Sequence, residues 1–124
     1  MAGSAKILPA LIVALLSVST PAAAEWVKSG EWTDTTYYFD AATIRREGAL
    51  RRVWEIQDFS DGGISNRILW EYDCRRERVR PLSMFLYSGP MAKGSILWSA
   101  EAPFSWSAIA RAPAHARLFA TVCR

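Results

Sequence analysis

The sequence predicts an α+β domain in which an antiparallel sheet of about six strands has a C-terminal helix packed on one face and one disulfide. Three observations predict this fold. Apolar and polar residues alternate along much of the chain after residue 24, as they do in half-buried strands. Glycine, proline and aspartate separate these stretches, which favours turns between neighbouring strands. Residues 113–124 follow the helical period instead.

Six segments have the alternation or composition of strands. The clearest is residues 68–74, where Tyr72 and Cys74 share a predicted apolar face with Ile68 and Trp70, while Glu71 and Asp73 point the other way. The turn signals between segments indicate an antiparallel meander. The predicted strands are residues 25–29, 36–40, 53–57, 68–74, 82–87 and 96–98.

The turns are predicted from residues that tolerate positive φ. Asp61-Gly62-Gly63 should close a hairpin between the third and fourth strands. Gly48 follows a segment that predicts either a turn of helix or an irregular link. The glycines and proline in residues 88–94 end the fifth strand.

The helix is predicted to begin at Pro113, because proline suits the first turn. His115, Leu118, Phe119, Val122 and Cys123 recur at the spacing of one helical face. Packing this face on the sheet predicts a core of Trp54, Ile56, Ile68, Trp70, Tyr72, Leu118, Phe119 and Val122.

Residues 1–24 have the pattern of a secretory signal peptide: one lysine, an apolar stretch too short for a membrane span, and Ala22-Ala23-Ala24 at the end. Cleavage after Ala24 leaves one domain, residues 25–124, with no membrane span. No cysteine directly follows the apolar stretch, so a lipid anchor is not expected. The mature protein is expected in the periplasm or outside the cell.

Both cysteines belong to the mature domain, and an oxidising compartment favours a disulfide between Cys74 and Cys123. Packing the helix on the sheet would bring the two together, which supports the same pairing. Two free thiols or an intermolecular bridge are the alternatives.

Four arginines follow Cys74 closely: Arg75, Arg76, Arg78 and Arg80. Positive charge could activate a free thiol, or the arginines could bind an anion or a partner. The alternative is a solvated hairpin end, with Glu77 among the arginines. The net charge of +3 does not indicate a nucleic-acid-binding protein.

No enzymatic site is predicted. His115 is the only histidine and no serine lies in a nucleophile elbow. One histidine and two cysteines are too few for a metal site of the Cys/His type. Glu71 and Asp73 are expected as ordinary charges on the solvent side of a strand. No catalytic residue, metal ion or cofactor is therefore predicted.

A set of aromatic, acidic and cysteine residues lies in a characteristic order along nearly all of the mature chain. It consists of Trp26, Tyr37-Tyr38-Phe39-Asp40, Val53-Trp54-Glu55, Glu71-Tyr72-Asp73-Cys74, Leu82-Ser83, Tyr87-Ser88, Met91 to Gly94, Trp106, Ile109, Pro113 and Val122-Cys123. In this order the chain resembles the surface-adhesin protein E family, small exported domains of Gram-negative bacteria. The resemblance implies a sheet of about six strands on a helix, the Cys74–Cys123 bond, adhesion to host extracellular proteins and self-association. The named adhesin is lipid-anchored, unlike this chain, and no binding residue transfers from it.

These observations predict an exported, non-catalytic binding module with a protein partner, either a host extracellular protein or a second copy in a homodimer. One alternative is a periplasmic inhibitor of a cell-wall hydrolase, with residues 88–94 entering the cleft. Another is a polyanion binder that uses the arginines after Cys74.

Overall fold

The computed structural model describes residue 3, residues 23–109 and residues 113–124. The predicted signal peptide therefore lies almost wholly outside the described residues. The described part contains eight strands, a 3₁₀ turn at Pro90–Ala92 and one α-helix, and no helix in it is long and apolar enough to cross a membrane. The strands are β1 (Trp26–Trp32), β2 (Thr35–Asp40), β3 (Arg45–Glu47), β4 (Leu50–Phe59), β5 (Ser65–Asp73), β6 (Arg78–Tyr87), β7 (Ile96–Glu101) and β8 (Ser107–Ala108), and the helix is α1 (Pro113–Val122).

All strands form one antiparallel sheet in the order β1-β2-β4-β5-β6-β7. Each strand of this path pairs with the next long strand in the chain, so the sheet is the predicted meander of six strands. The two remaining strands are short: β3 continues β2 along the edge of β4, and β8 continues β7 along the edge of β6. The predicted fold class is confirmed.

Helix α1 packs on one face of the sheet and buries Leu118 and Val122 against it. These two side chains meet Phe39, Val53 and Tyr72, which come from three neighbouring strands and are all nearly or fully buried. Non-directional burial of apolar surface is the main force that holds the helix there.

Polar contacts hold the middle and the end of the helix. Midway along α1, Arg117 donates to the carbonyl oxygen of Ser29 at 2.6 Å. A Cβ at Gly30 would lie 2.8 Å from Nη1 of Arg117, so a larger residue there would displace this guanidinium. At the helix end, Nε of Arg51 donates to the carbonyl oxygen of Val122 at 3.0 Å, where the helix dipole favours positive charge.

One part of the predicted core is wrong. Trp54 does not face the helix, because it follows Val53 in β4, and Val53 belongs to the cluster under α1. Trp54 and Ile56 lie on the opposite face, which we call the open face. Glu55 instead points toward the helix side and is 1% exposed. The predicted alternation of β4 is present, but its two faces are exchanged relative to the prediction, since both carry large side chains.

Two turns also differ from the predictions. Residues 45–47 form strand β3, and Gly48, at φ 58°, lies in the hairpin to β4 rather than after a turn of helix. The first hairpin closes at Thr33 and Asp34, which both take positive φ without glycine. Because only glycine adopts such angles freely, Thr33 and Asp34 carry no strong signal for this turn.

Candidate binding surfaces

The disulfide removes the reactive-thiol hypothesis. Cys74 and Cys123 are bonded, with their Cα atoms 5.5 Å apart, and they are the only cysteines of the chain. Cys74 directly follows β5 and Cys123 directly follows α1, so the bond joins the sheet to the end of the helix. The predicted pairing is confirmed, and the thiolate needed for nucleophilic chemistry is absent.

The first two arginines of the cluster lie in the turn between β5 and β6. Arg75 and Arg76 have exposed side chains, and their backbone N–H groups donate to Oδ1 of Asp73 at 3.2 and 3.1 Å. The bond from the Arg76 amide, followed by the guanidinium of Arg78, lowers the pKa of Asp73. Asp73 therefore shapes the turn, while the side chains of Arg75 and Arg76 extend into solvent.

The other two arginines lie on the open face and are paired with carboxylates. Nε of Arg78 is 3.1 Å from Oδ2 of Asp73. Arg80 places Nε and Nη2 at 2.9 and 2.7 Å from Oε1 of Glu71, and Nε of Arg52 is 3.0 Å from Oε2 of the same carboxylate. Glu71 is 1% exposed. The prediction that Glu71 and Asp73 are solvated is wrong, because the arginines cover both.

Trp106 stacks on this pair of arginines. The guanidinium carbons of Arg78 and Arg80 lie 4.4 and 4.2 Å from its ring centroid. Pairing of β8 with β6 brings the ring there, because Ser107 lies opposite Val79. This role of Trp106 cannot be read from local sequence, since the residue is distant in the chain from both arginines and lies in no strand itself.

The four arginines therefore do not form one patch. Arg78 and Arg80 are half-buried, neutralised and stacked, whereas Arg75 and Arg76 are exposed at the turn. Stacking on Trp106 and ion pairing with Asp73 and Glu71 give Arg78 and Arg80 a role in closing the open face. Anion binding by the two turn arginines stays a prediction.

His115 packs in the interface between helix and sheet. Its ring meets Trp70 edge to face with centroids 4.8 Å apart, and its Nδ1 lies 3.4 Å from the hydroxyl oxygen of Tyr72. Burial lowers its pKa. Among the described residues no cluster of His, Cys, Asp or Glu side chains is arranged to hold a metal ion.

Glu55 is the polar residue of the helix side that sequence reasoning missed. Its Oε1 accepts hydrogen bonds of 3.0 Å from Nε2 of Gln57 and Nε1 of Trp70. Burial raises the pKa of Glu55 to about 7, although both hydrogen bonds act in the opposite direction. The local sequence pattern could not reveal the burial of Glu55, because Trp70 and residues of other elements cover its side chain.

The segment proposed as an inhibitory loop is held against the sheet. The amide of Met91 donates to Oδ1 of Asp58 at 3.3 Å, and that of Ala92 donates to Oγ of Ser65 at 2.8 Å. Oγ of Ser65 in turn donates to the carbonyl oxygen of Gly89. Residues 88–94 thus form a wall over one end of the open face, and inhibition of a hydrolase stays a prediction.

The edge strand β7 exposes three consecutive apolar side chains. Ile96, Leu97 and Trp98 are 54%, 57% and 52% exposed. Among the described residues β7 pairs only with β6, so its other edge presents free backbone N–H and C=O groups. Such an edge can accept an added strand.

A comparison with protein families matches residues 26–124 to the family model described as Surface-adhesin protein E. The match covers most of the chain and includes every described strand and the helix. Nothing matches among curated proteins or among solved structures.

Proposed function

The chain belongs to the surface-adhesin protein E family, and we propose that it is a non-catalytic module that binds a protein partner outside the cytoplasm. Membership of this family indicates an adhesin-like surface protein. Export by the predicted signal peptide, without a lipid anchor, would bring the mature domain to the periplasm or the cell exterior. The observation that carries the proposal is the apolar outer edge of β7, with which no described strand pairs.

Natural sheets usually protect an edge with lysine, proline, bulges or a covering segment. In β7 the first charged residue is Glu101, the last of the strand. Ile96, Leu97 and Trp98 together offer apolar surface beside the free backbone groups. An extended segment of a partner protein would bond to this backbone and cover these side chains, the recognition mode called β-strand addition. Because alternate side chains of a strand point to opposite faces, such a segment would gain contacts on both faces of the sheet.

The experiment measures binding of the mature domain to purified extracellular-matrix proteins by surface plasmon resonance. The test variant is Trp98→Lys, and the matched control is Trp32→Lys in the opposite edge strand, since Trp32 is 53% exposed. We expect the wild type and Trp32→Lys to bind alike and Trp98→Lys to lose at least tenfold in affinity. Equal effects of the two variants, or a wild type that neither binds these proteins nor forms a dimer, would refute the proposal.

Size-exclusion chromatography of the same three proteins tests whether the domain binds a second copy of itself. If the wild type elutes as a dimer and Trp98→Lys as a monomer, the added strand is β7 of a second copy. The partner is then this chain itself rather than a host protein.

A further inference from the structure

The open face carries two adjoining cavities. The larger has a volume of about 380 Å³ and is lined by Trp26 and Arg67, with Met91 of the 88–94 segment in its wall. The smaller, of about 350 Å³, is lined by Arg45 and Arg52. Thr43 and Trp54 line both. We call the two cavities together the Trp54 trough; their volumes lie in the range of small-molecule sites.

Two of the three arginines that line the trough have no ion pair among the described residues. The guanidinium carbon of Arg67 lies 4.1 Å from the ring centroid of Trp54, which fixes the group in place. No carboxylate of the described residues pairs with Arg67 or with the exposed Arg45. The Nε of Arg67 is buried and has no partner among the described residues. A buried N–H group without an acceptor costs free energy, and a ligand oxygen that accepts from Nε would remove this cost.

The one carboxylate in the trough is already engaged. Asp40 is 3% exposed, and its oxygens accept bonds from the amides of Glu25 and Ala42 and from the hydroxyl of Thr43, at 2.6–3.0 Å. It therefore supports the loop after β2 and leaves the arginines free for a ligand.

We propose that the Trp54 trough binds a short segment of an acidic glycan. A sulfate or carboxylate group would pair with Arg67 in the larger cavity, and a second would pair with Arg45 in the smaller one. The CH faces of the sugar rings would lie on the indole surfaces of Trp26 and Trp54 between the two charges. This inference concerns the open face and does not depend on the β7 edge.

The same features argue for a glycan over a nucleic acid. The trough offers two cavities and few free cations, whereas binding of a polynucleotide requires a track of many basic groups. The net charge of the chain, +3, is also small. Tryptophan side chains with a flanking arginine suit a ligand that alternates apolar ring faces with charged groups.

Isothermal titration calorimetry tests the site with three probes of defined length: a heparin hexasaccharide, a hyaluronate hexasaccharide and uncharged maltohexaose. We expect one or both acidic glycans to bind and maltohexaose not to bind. The heparin and hyaluronate arms distinguish sulfate from carboxylate recognition. Affinity should fall as salt rises.

Variants locate the site. Arg67→Gln and Arg45→Gln should each weaken binding at least tenfold, whereas Arg75→Gln and Arg76→Gln, which remove the same charge at the distant turn, should change it less than twofold. Arg45 is exposed, so its variant keeps the test valid if Arg67→Gln does not fold. Equal losses in all four variants, or equally tight binding of a single-stranded oligonucleotide, would overturn the proposal by showing unspecific charge attraction.

A separate observation concerns the processing site. The backbone nitrogen of Glu25 donates to Oδ1 of the buried Asp40 at 2.9 Å. Hydrolysis of the Ala24–Glu25 peptide bond adds one water, leaving a carboxylate on Ala24 and an ammonium group on that same nitrogen of Glu25. We infer that signal-peptide removal converts this hydrogen bond into an ion pair between the new N-terminus and Asp40.

Three forms of the mature domain test this ion pair: one with a free Glu25 amine, one with an acetylated amine, and one that retains Ala24. We expect mass spectrometry of the exported protein to find Glu25 at the N-terminus, with an α-amino pKa above its usual range of about 7.7–8.0. The free-amine form should unfold at a higher urea concentration than the other two. Asp40→Asn should abolish that difference and the pKa shift, whereas Asp61→Asn at an exposed turn should keep both. An N-terminus other than Glu25, or an unchanged difference in Asp40→Asn, would refute the inference.

Discussion

Glu55 should make the stability of this domain depend on pH. The side chain is 1% exposed on the helix side of the sheet, and burial raises its pKa from 4.5 to about 7. A carboxylic acid with a raised pKa binds its proton more tightly in the folded state than in the unfolded state. Its contribution to stability is therefore fully present below about pH 4.5 and is lost as the pH rises through 7.

The size of the effect follows from the shift. A difference of about 2.5 pKa units corresponds to about 3 kcal/mol of unfolding free energy between pH 4.5 and a pH well above 7. This is a large fraction of the stability of a domain of this size. The contribution of His115 to the pH dependence has the opposite sign. Burial lowers its pKa, so protonation of His115 at acid pH destabilises the folded state. Tyr37 and Tyr72 have raised pKa values and stay neutral throughout this range.

The variant Glu55→Gln isolates the contribution of Glu55. Glutamine keeps an oxygen that can accept the bond from Nε1 of Trp70 but cannot ionise. Urea unfolding, followed by tryptophan fluorescence at pH 5 to 9 with the disulfide intact, gives the unfolding free energy of both proteins. Subtracting one curve of unfolding free energy against pH from the other removes the contribution of His115, because both proteins contain this residue. We expect similar stabilities at pH 5 and an advantage of about 3 kcal/mol for Glu55→Gln at pH 9.

Glu47→Gln, in the exposed strand β3, is the matched control and should show the pH dependence of the wild type. If the curves of Glu55→Gln and the wild type stay parallel from pH 5 to 9, Glu55 does not titrate in this range, and the reasoning from its burial fails.

Three further predictions concern the disulfide and the arginine cluster. Replacing Cys74 and Cys123 by serine should lower the unfolding free energy by about 4 kcal/mol, because the bond closes a loop across a sequence separation of 49 residues. Reducing agent should destabilise the wild type in urea unfolding and leave the double variant unchanged; the reverse would contradict this role. Glu71→Ala should lower the unfolding free energy by about 3 kcal/mol in thermal unfolding, since it leaves two partly buried guanidinium groups without their shared carboxylate. A loss below about 1 kcal/mol would contradict the pairing. Alanine at Arg75 or Arg76 should change stability by less than about 0.5 kcal/mol, measured in the same way.

Much of the fold could be predicted from local pattern. The period of two in residues 68–74 placed Trp70 and Tyr72 on the helix side, where the structure has them. The helical spacing of Leu118 and Val122 identified the buried stripe of α1. Such patterns are reliable because a strand or helix exposes a fixed set of side chains to each side, whatever it packs against.

The exchanged faces of β4 show where local pattern fails. Trp54 and Ile56 form the larger apolar set, yet Val53 and Glu55 face the helix. Alternation divides the side chains of a strand into two sets, one for each face of the sheet. Which of the two sets lies under the helix is decided only by how the other elements pack. The open face of this sheet is also partly covered, by the 88–94 segment and Trp106, so apolar side chains are tolerated on both faces.

The arginine cluster shows the same limit for function. The sequence has four arginines shortly after Cys74, but it does not show which of them form ion pairs with carboxylates. Pairing of β5 with β6 sets Glu71 opposite Arg80 and Asp73 opposite Arg78, and this register neutralises two of the four. Arg45 on β3 and Arg67 on β5, which have no ion pair among the described residues, belong to no distinguishing motif.

Local sequence was enough to predict the meander and the C-terminal helix, because periodicity and turn residues are properties of the local chain, and two cysteines allowed a single intrachain bond, which the structure contains. Tertiary structure alone decided the burial of Glu55 and Glu71, the stacking of Trp106 and the joining of Trp54 with Arg67 in one trough. Those outcomes depend on which segments meet across the sheet. The free energy of a buried charge is set by the charged and polar groups that take the place of water around it.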